Sequence, residues 1–355
     1  MSQLRPVSGG GSMELRPDLA RAQDRTESEW LVPSALMTAL LGVAAIVLMP
    51  AAGYSAPPPY FSRFLVWVWW AMFGGLILLV IKVAQMYVAG VEHPLAYLKA
   101  WFREKRGRNM AAVAGMMLAG VDMLFFMWIK PEVTAISPFW ADQIFADMDR
   151  AIFGRDPWLF FQGIDLTFHA WAYSFFWAVA IAATLLWLFS RRASKARSTA
   201  LLNYFALWSI FGPIGQYFGS AAGPIFYQRI GLGDRFAELA GSIPPVTNTV
   251  SGYLWDMHVN QVAAVGAGIS AMPSLHIATA MWIYLSFRAH RSTLAPLAAI
   301  FAFYMFALSV ALGWHYAVDG VIGALGAAAF HLASGWYLER RTRNVPVEKR
   351  AVVVG

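Results

Sequence analysis

Cysteine is absent from all 355 residues, which excludes a disulfide framework, a thiolate metal site and a cysteine nucleophile. Charge is also scarce. Asp, Glu, Lys and Arg together make up 13% of the chain, about half the share of a soluble domain, too little to coat a water-facing surface of this length. What is there instead is 59% hydrophobic residues, including 16 Trp and 25 Phe, with a mean hydropathy of +0.52. That balance describes a polytopic membrane protein, and neither an internal repeat nor a soluble domain interrupts it.

Eight apolar stretches are long enough to be read as spans of a hydrocarbon layer roughly 30 Å thick: 31–50, 64–90, 110–129, 170–190, 199–221, 272–289, 295–314 and 317–337. Between them the basic residues alternate. Five lie in 91–109, four in 191–198, Arg288 and Arg291 in the next turn, and five after Glu339. The opposite segments, 51–63, 130–169 and 222–271, hold only Arg63, Lys130, Arg150, Arg155, Arg229 and Arg235. The positive-inside rule then puts both termini and the basic loops in the cytoplasm, in what we expect to be the plasma (inner) membrane. The net charge of +7 reads as topology rather than as a nucleic-acid footprint. Residues 1–30 are expected to be a disordered cytoplasmic tail, 31–109 two extra spans with a basic loop, 110–337 a core, and 338–355 a basic cytoplasmic tail.

This orientation brings three polar residues to one level. The stretch SAMPSLHIATAMW (270–282) starts the sixth span at the outer face, and ALGWHYAVDGVIG (311–323) joins the seventh to the eighth at the same face. His276, His315 and Asp319 therefore meet at the outer interface. Pro273 suits a first helical turn, leaving the N–H groups of Ser274, Leu275 and His276 free to face an anion. His315 and Asp319 are spaced i, i+4, which on a helix is one face. A carboxylate on one imidazole nitrogen fixes the tautomer and makes the other nitrogen nucleophilic. A second histidine able to give up a proton completes a set suited to phosphoryl transfer.

AMPSLHIATA and GWHYAVDGVIG resemble the second and third motifs of the type 2 phosphatidic acid phosphatase superfamily, and within it most resemble the inositolphosphotransferases that include the fungal inositol phosphorylceramide synthases. The resemblance implies an all-α membrane protein with a six-helix core over about 110–337. It also implies metal-independent chemistry without a cofactor, through a phosphohistidine on His315 with Asp319 as its partner and His276 as the acid. A lipid phosphate or phospholipid would be the donor, and water or a hydroxyl the acceptor. DMDRAIFGRDPW (147–158) is similar to a segment of the same branch. Three departures stand out. Leu275 replaces the usual Gly of the second motif, and Ser309 stands where an Arg precedes the nucleophile by six residues. The Lys and Arg-Pro pattern of the first motif is missing, its place taken by QYFGSAAGPIFYQR (216–229). That stretch offers Gly223, Tyr227 and Arg229, the last as a substitute cation beside the Ser274–Leu275 helix start.

Other readings remain open at this point. His258 or Asp256 could join the histidines at a zinc ion, although no metal-ligand spacing supports it. Asp122, well inside the third span, must be paired or face a cavity, and a transporter would use such a charge. The segment 222–271 is long for a loop and is expected to wall or cover the site.

Overall fold

The computed structural model describes residues 17–53, 61–104, 106–262, 264 and 266–343. Among them there is no strand. Thirteen α-helices follow in order: α1 Pro17–Leu48, α2 Phe61–Val88, α3 Pro94–Glu104, α4 Arg106–Ile136, α5 Asp142–Phe153, α6 Thr167–Ser190, α7 Lys195–Ala206, α8 Gly212–Phe218, α9 Ala237–Ser242, α10 Pro245–Val259, α11 Leu275–Ala289, α12 Ala295–Ala311 and α13 Ala317–Arg343.

Five of these are long and apolar enough to cross a membrane, over Glu27–Leu48, Phe64–Val88, Arg106–Ile136, Thr167–Ser190 and Ala317–Arg341. The protein is all-helical and carries several membrane spans; the sequence count of eight is reached only if shorter helices are added. α12 has 17 residues, a rise of about 26 Å. α11 has 15. The stretch 199–221 is divided between α7 and α8 by one wide π-helical turn, Leu207–Phe211, which turns Trp208 and Gly212 toward a cavity.

Large aromatics fill the core because a bilayer rewards close packing rather than apolarity alone. Trp30, Trp208 and Trp282 are almost fully enclosed, with Leu185, Leu201 and Phe205 between them. The buried indole N–H of Trp282 donates to the Ala200 carbonyl at 2.7 Å, and the Asn203 amide donates to Ala327 O at 3.2 Å. These bonds fasten α7 to α11 and α13.

The expected disordered tail needs correction. The chain is helical from Pro17, and residues 1–16 and 344–355 lie outside the described residues. Glu27 is buried and pairs at 2.5 Å with the fully buried Arg197 of α7. It also accepts the Trp30 indole N–H at 2.8 Å. Arg197 is thus part of the packing rather than a solvated charge of a cytoplasmic loop. α1 is bound a second time, where the Thr38 hydroxyl donates to Asp122 at 2.9 Å and Ser209 donates to the same carboxylate oxygen. Asp122 joins α1, α4 and the wide turn, which is the paired alternative of the two readings.

The segment 222–271 forms a short turn over Pro224–Phe226, then α9 and α10. It lies over the end of the bundle where α11 and α13 begin.

Candidate active site

α11 begins at Leu275 with Ser274 as its extended N-cap, so Pro273 stands two residues ahead of the first helical position rather than inside the first turn. α13 begins two residues after His315. These two helix starts meet: Ser274 N–H donates to the Asp319 carbonyl at 3.4 Å. The rings of His276 and His315 come to 6.1 Å between centroids, at 60° to each other. Both line one cavity of about 270 Å³.

His315 is held from an unforeseen direction. Its Nδ1 lies 2.6 Å from the carbonyl oxygen of Ala271. A carbonyl only accepts, so Nδ1 carries a proton, and in the neutral ring the lone pair is on Nε2. Asp319 Oδ2 is 3.8 Å from Nδ1, beyond hydrogen-bond range, and takes the Tyr316 backbone N–H at 2.9 Å instead. The i, i+4 spacing does bring carboxylate and imidazole side by side, but without a hydrogen bond between them; the tautomer is fixed by a backbone carbonyl.

His276 sits in an aromatic sleeve from α6. Its ring stacks on Tyr173 at 4.6 Å and 21°, and lies 4.1 Å from Trp177. Sequence reasoning missed both aromatics; read along α6, they are i, i+4 and so share a face.

Asp142 and Asp149 position the site, and neither was singled out. Asp149 accepts the N–H groups of Ala317 and Val318 at 2.6 and 2.9 Å, capping the helix that carries Asp319. Asp142 accepts the N–H groups of Ala222 and Gly223, both at 2.8 Å, and the Tyr316 hydroxyl at 2.9 Å. Burial pushes both carboxyls above the usual carboxylate range, Asp149 to about 6, against the pull of the N–H groups they accept. Asp156 goes the other way: burial raises it, but the guanidiniums of Arg235 and Arg150 hold it below the ordinary value. Arg235 also reaches Asp147 at 2.5 Å and the Ala146 carbonyl at 2.7 Å. The segment 147–158 is therefore the bracket beneath α13.

The residues expected to bind substrate separate. Leu275 lines the cavity and packs on Gly212, where a Cβ would come within 2.9 Å of it. Ser274 is fully buried, its hydroxyl without a partner among the described residues. Gly223 serves packing: its φ is +101°, and a Cβ there would lie 2.6 Å from the Trp314 carbonyl oxygen. Tyr227 is buried against Phe236 and lies outside the cavity lining. Arg229 is corrected as a substitute cation. It is exposed, donates to the Ser251 carbonyl at 3.3 Å, and lines a different pocket with Phe236 and Asn248.

His258 lies apart from the histidine pair, between Phe139 and Trp255, on a second cavity of about 500 Å³ that shares Ala267 and Gly268 with the first. Among the described residues no three His, Asp or Glu side chains gather as a metal site would require.

The two histidines thus lie at the starts of neighbouring helices, with aromatic rings of α6 against His276. The chain is a member of the PAP2 superfamily, which matches residues 142–333. Membership carries phosphatase- or phosphotransferase-type chemistry on lipid phosphates. No curated protein and no solved structure matches the chain at a significant level.

Proposed function

We propose that this protein is an inositolphosphotransferase-like lipid phosphotransferase working through a phosphohistidine at the non-cytoplasmic face of the plasma (inner) membrane, with both termini cytoplasmic. The observation that carries the reading is the Nδ1 contact of His315 with the Ala271 carbonyl, which assigns the lone pair of the neutral ring to Nε2, beside the cavity that His315 and His276 both line. Nε2 attacks the donor phosphorus and the bond to the lipid alcohol breaks. The departing oxygen takes a proton from His276, which the aromatic sleeve of Tyr173 and Trp177 holds in place. An acceptor hydroxyl of a ceramide, glycan or other lipid then attacks phosphorus, returning its proton to His276 as the P–N bond breaks. Asp319 stabilises the positive charge that develops on the imidazole. The start of α11 offers the amides of Leu275 and His276 to the phosphoryl oxygens, the Ser274 N–H being taken by the Asp319 carbonyl.

The acceptor decides between transferase and phosphatase, since water would use the same first half-reaction. The second cavity, across the shared wall at Ala267 and Gly268, supports a hydroxyl acceptor larger than water. Phosphate-labelled phospholipid, supplied with and without candidate acceptors, tests this. Label should move to a new lipid or glycan product. Free phosphate as the sole product in every mixture defeats the transferase reading.

A further inference from the structure

A phosphoryl group in a largely apolar cavity needs a cation, and the places where the sequence suggested one do not supply it. Ser309, in the position before the nucleophile, is fully buried and donates its hydroxyl to the Phe306 carbonyl at 2.8 Å. Arg229 faces another pocket, and Arg235 is committed to Asp156 and Asp147.

We propose that Lys130 of α4 is the phosphate-binding cation of this site, supplied by a helix that none of the sequence motifs touches. Among the described residues, Lys130 is the only Lys or Arg lining the cavity shared by His276 and His315, and the lining includes no Asp or Glu. No carboxylate pairs with it among the described residues. An unpaired ammonium in such surroundings is costly, and a phosphate supplies the missing partner.

The backbone around Lys130 is fixed as a binding residue requires. Its carbonyl accepts the side-chain amide of Gln216 at 2.9 Å and the Thr134 hydroxyl at 3.0 Å. Gln216 heads the stretch that stands in place of the missing first motif. Its amide thus holds the turn that carries the lysine, instead of a charge of its own meeting the phosphate. Gly268 closes over the same turn, so near that a Cβ would lie 2.8 Å from Pro131 N. Toward the bundle interior, Met123, Phe126 and Met127 continue the face of α4 on which Lys130 lies, at i, i+3, i+4 and i+7. That face is cationic at the histidines and apolar beyond, the polarity of a lipid phosphate.

The inference rests on the phosphotransferase reading but is tested without turnover. Inorganic phosphate is titrated into the full chain in detergent and followed by phosphorus NMR. Lys130→Gln should weaken binding roughly 10- to 100-fold, the loss of one charge-assisted contact, and Lys130→Arg should recover most of it. Phosphate binding equal to wild type in Lys130→Gln overturns the proposal, as does wild-type protein that binds no phosphate. If Lys130→Gln does not fold, the wild-type chain decides: phosphate should protect Lys130 several-fold from acetylation read by mass spectrometry, and equal labelling with and without phosphate overturns it. Turnover that survives His315→Ala would sink the phosphohistidine reading alone, leaving the phosphate titration to judge Lys130.

Discussion

Replacing Asp319 by Asn separates two roles that a carboxylate beside a histidine usually combines. Where the carboxylate itself holds the imidazole N–H, neutralising it leaves the wrong tautomer and costs about 10⁴ in rate. Here Ala271 O holds Nδ1–H at 2.6 Å, so Asp319→Asn should keep the tautomer and lose only the charge. Two unit charges 3.8 Å apart interact by about 4 kcal/mol at an effective dielectric of about 20. That is an upper bound near 10³ in rate, and the remaining amide dipole lowers it, so we expect a loss of about 10²–10³. Single-turnover rates with a labelled lipid phosphate give the loss, and nitrogen NMR of His315 gives the tautomer. An unchanged rate would show that the charge at 3.8 Å contributes nothing. A loss of 10⁴ with the proton moved to Nε2 would show that Asp319, rather than Ala271, sets the tautomer.

Asp149→Ala strands the N–H groups of Ala317 and Val318, which should cost about 2–4 kcal/mol and lower the melting temperature by several degrees; an unaltered melt would contradict the bracket assigned to 147–158. Asp149 is raised to about 6, so the folded state binds its proton more tightly than the unfolded chain. Its contribution to stability is therefore present below about pH 4 and lost as pH rises to about 6. Asp149→Asn should make this slope shallower in thermal melts at stepped pH, with Asp142 supplying the slope that remains; an equal slope in both proteins refutes the assignment. Gly268→Ala forces a side chain onto φ +90° and against Pro131, a strain of about 1–3 kcal/mol that should displace Lys130 and cut kcat/KM about tenfold or more. Wild-type kinetics in that variant would mean that the 266–270 wall does not position the site.

The histidines and the helix starts that carry them were legible because proline, an i, i+4 pair and long apolar runs are local signals. What was not legible depends on contacts between distant segments. The partner of His315 is a backbone carbonyl, which has no sequence signature. Lys130 was counted only as a charge on one side of the membrane, since nothing local distinguishes a lysine at a cavity from one at an interface. Arg229 was favoured for its place in the chain, yet the turn at Pro224–Phe226 carries it to another face. Arg197 was assigned to a basic loop because its partner, Glu27, lies 170 residues away. The segment 147–158 was noticed as a pattern, but its purpose as a cap needed α13 beside it.

The central claim is a covalent phosphohistidine, and its most direct test is to trap it. Wild-type protein mixed with phosphate-labelled donor and quenched in alkali should carry label on a peptide containing His315, stable to base and lost in acid, and His315→Ala should carry none. Label that persists in His315→Ala, or turnover by the wild-type protein with no label on His315, would contradict the account.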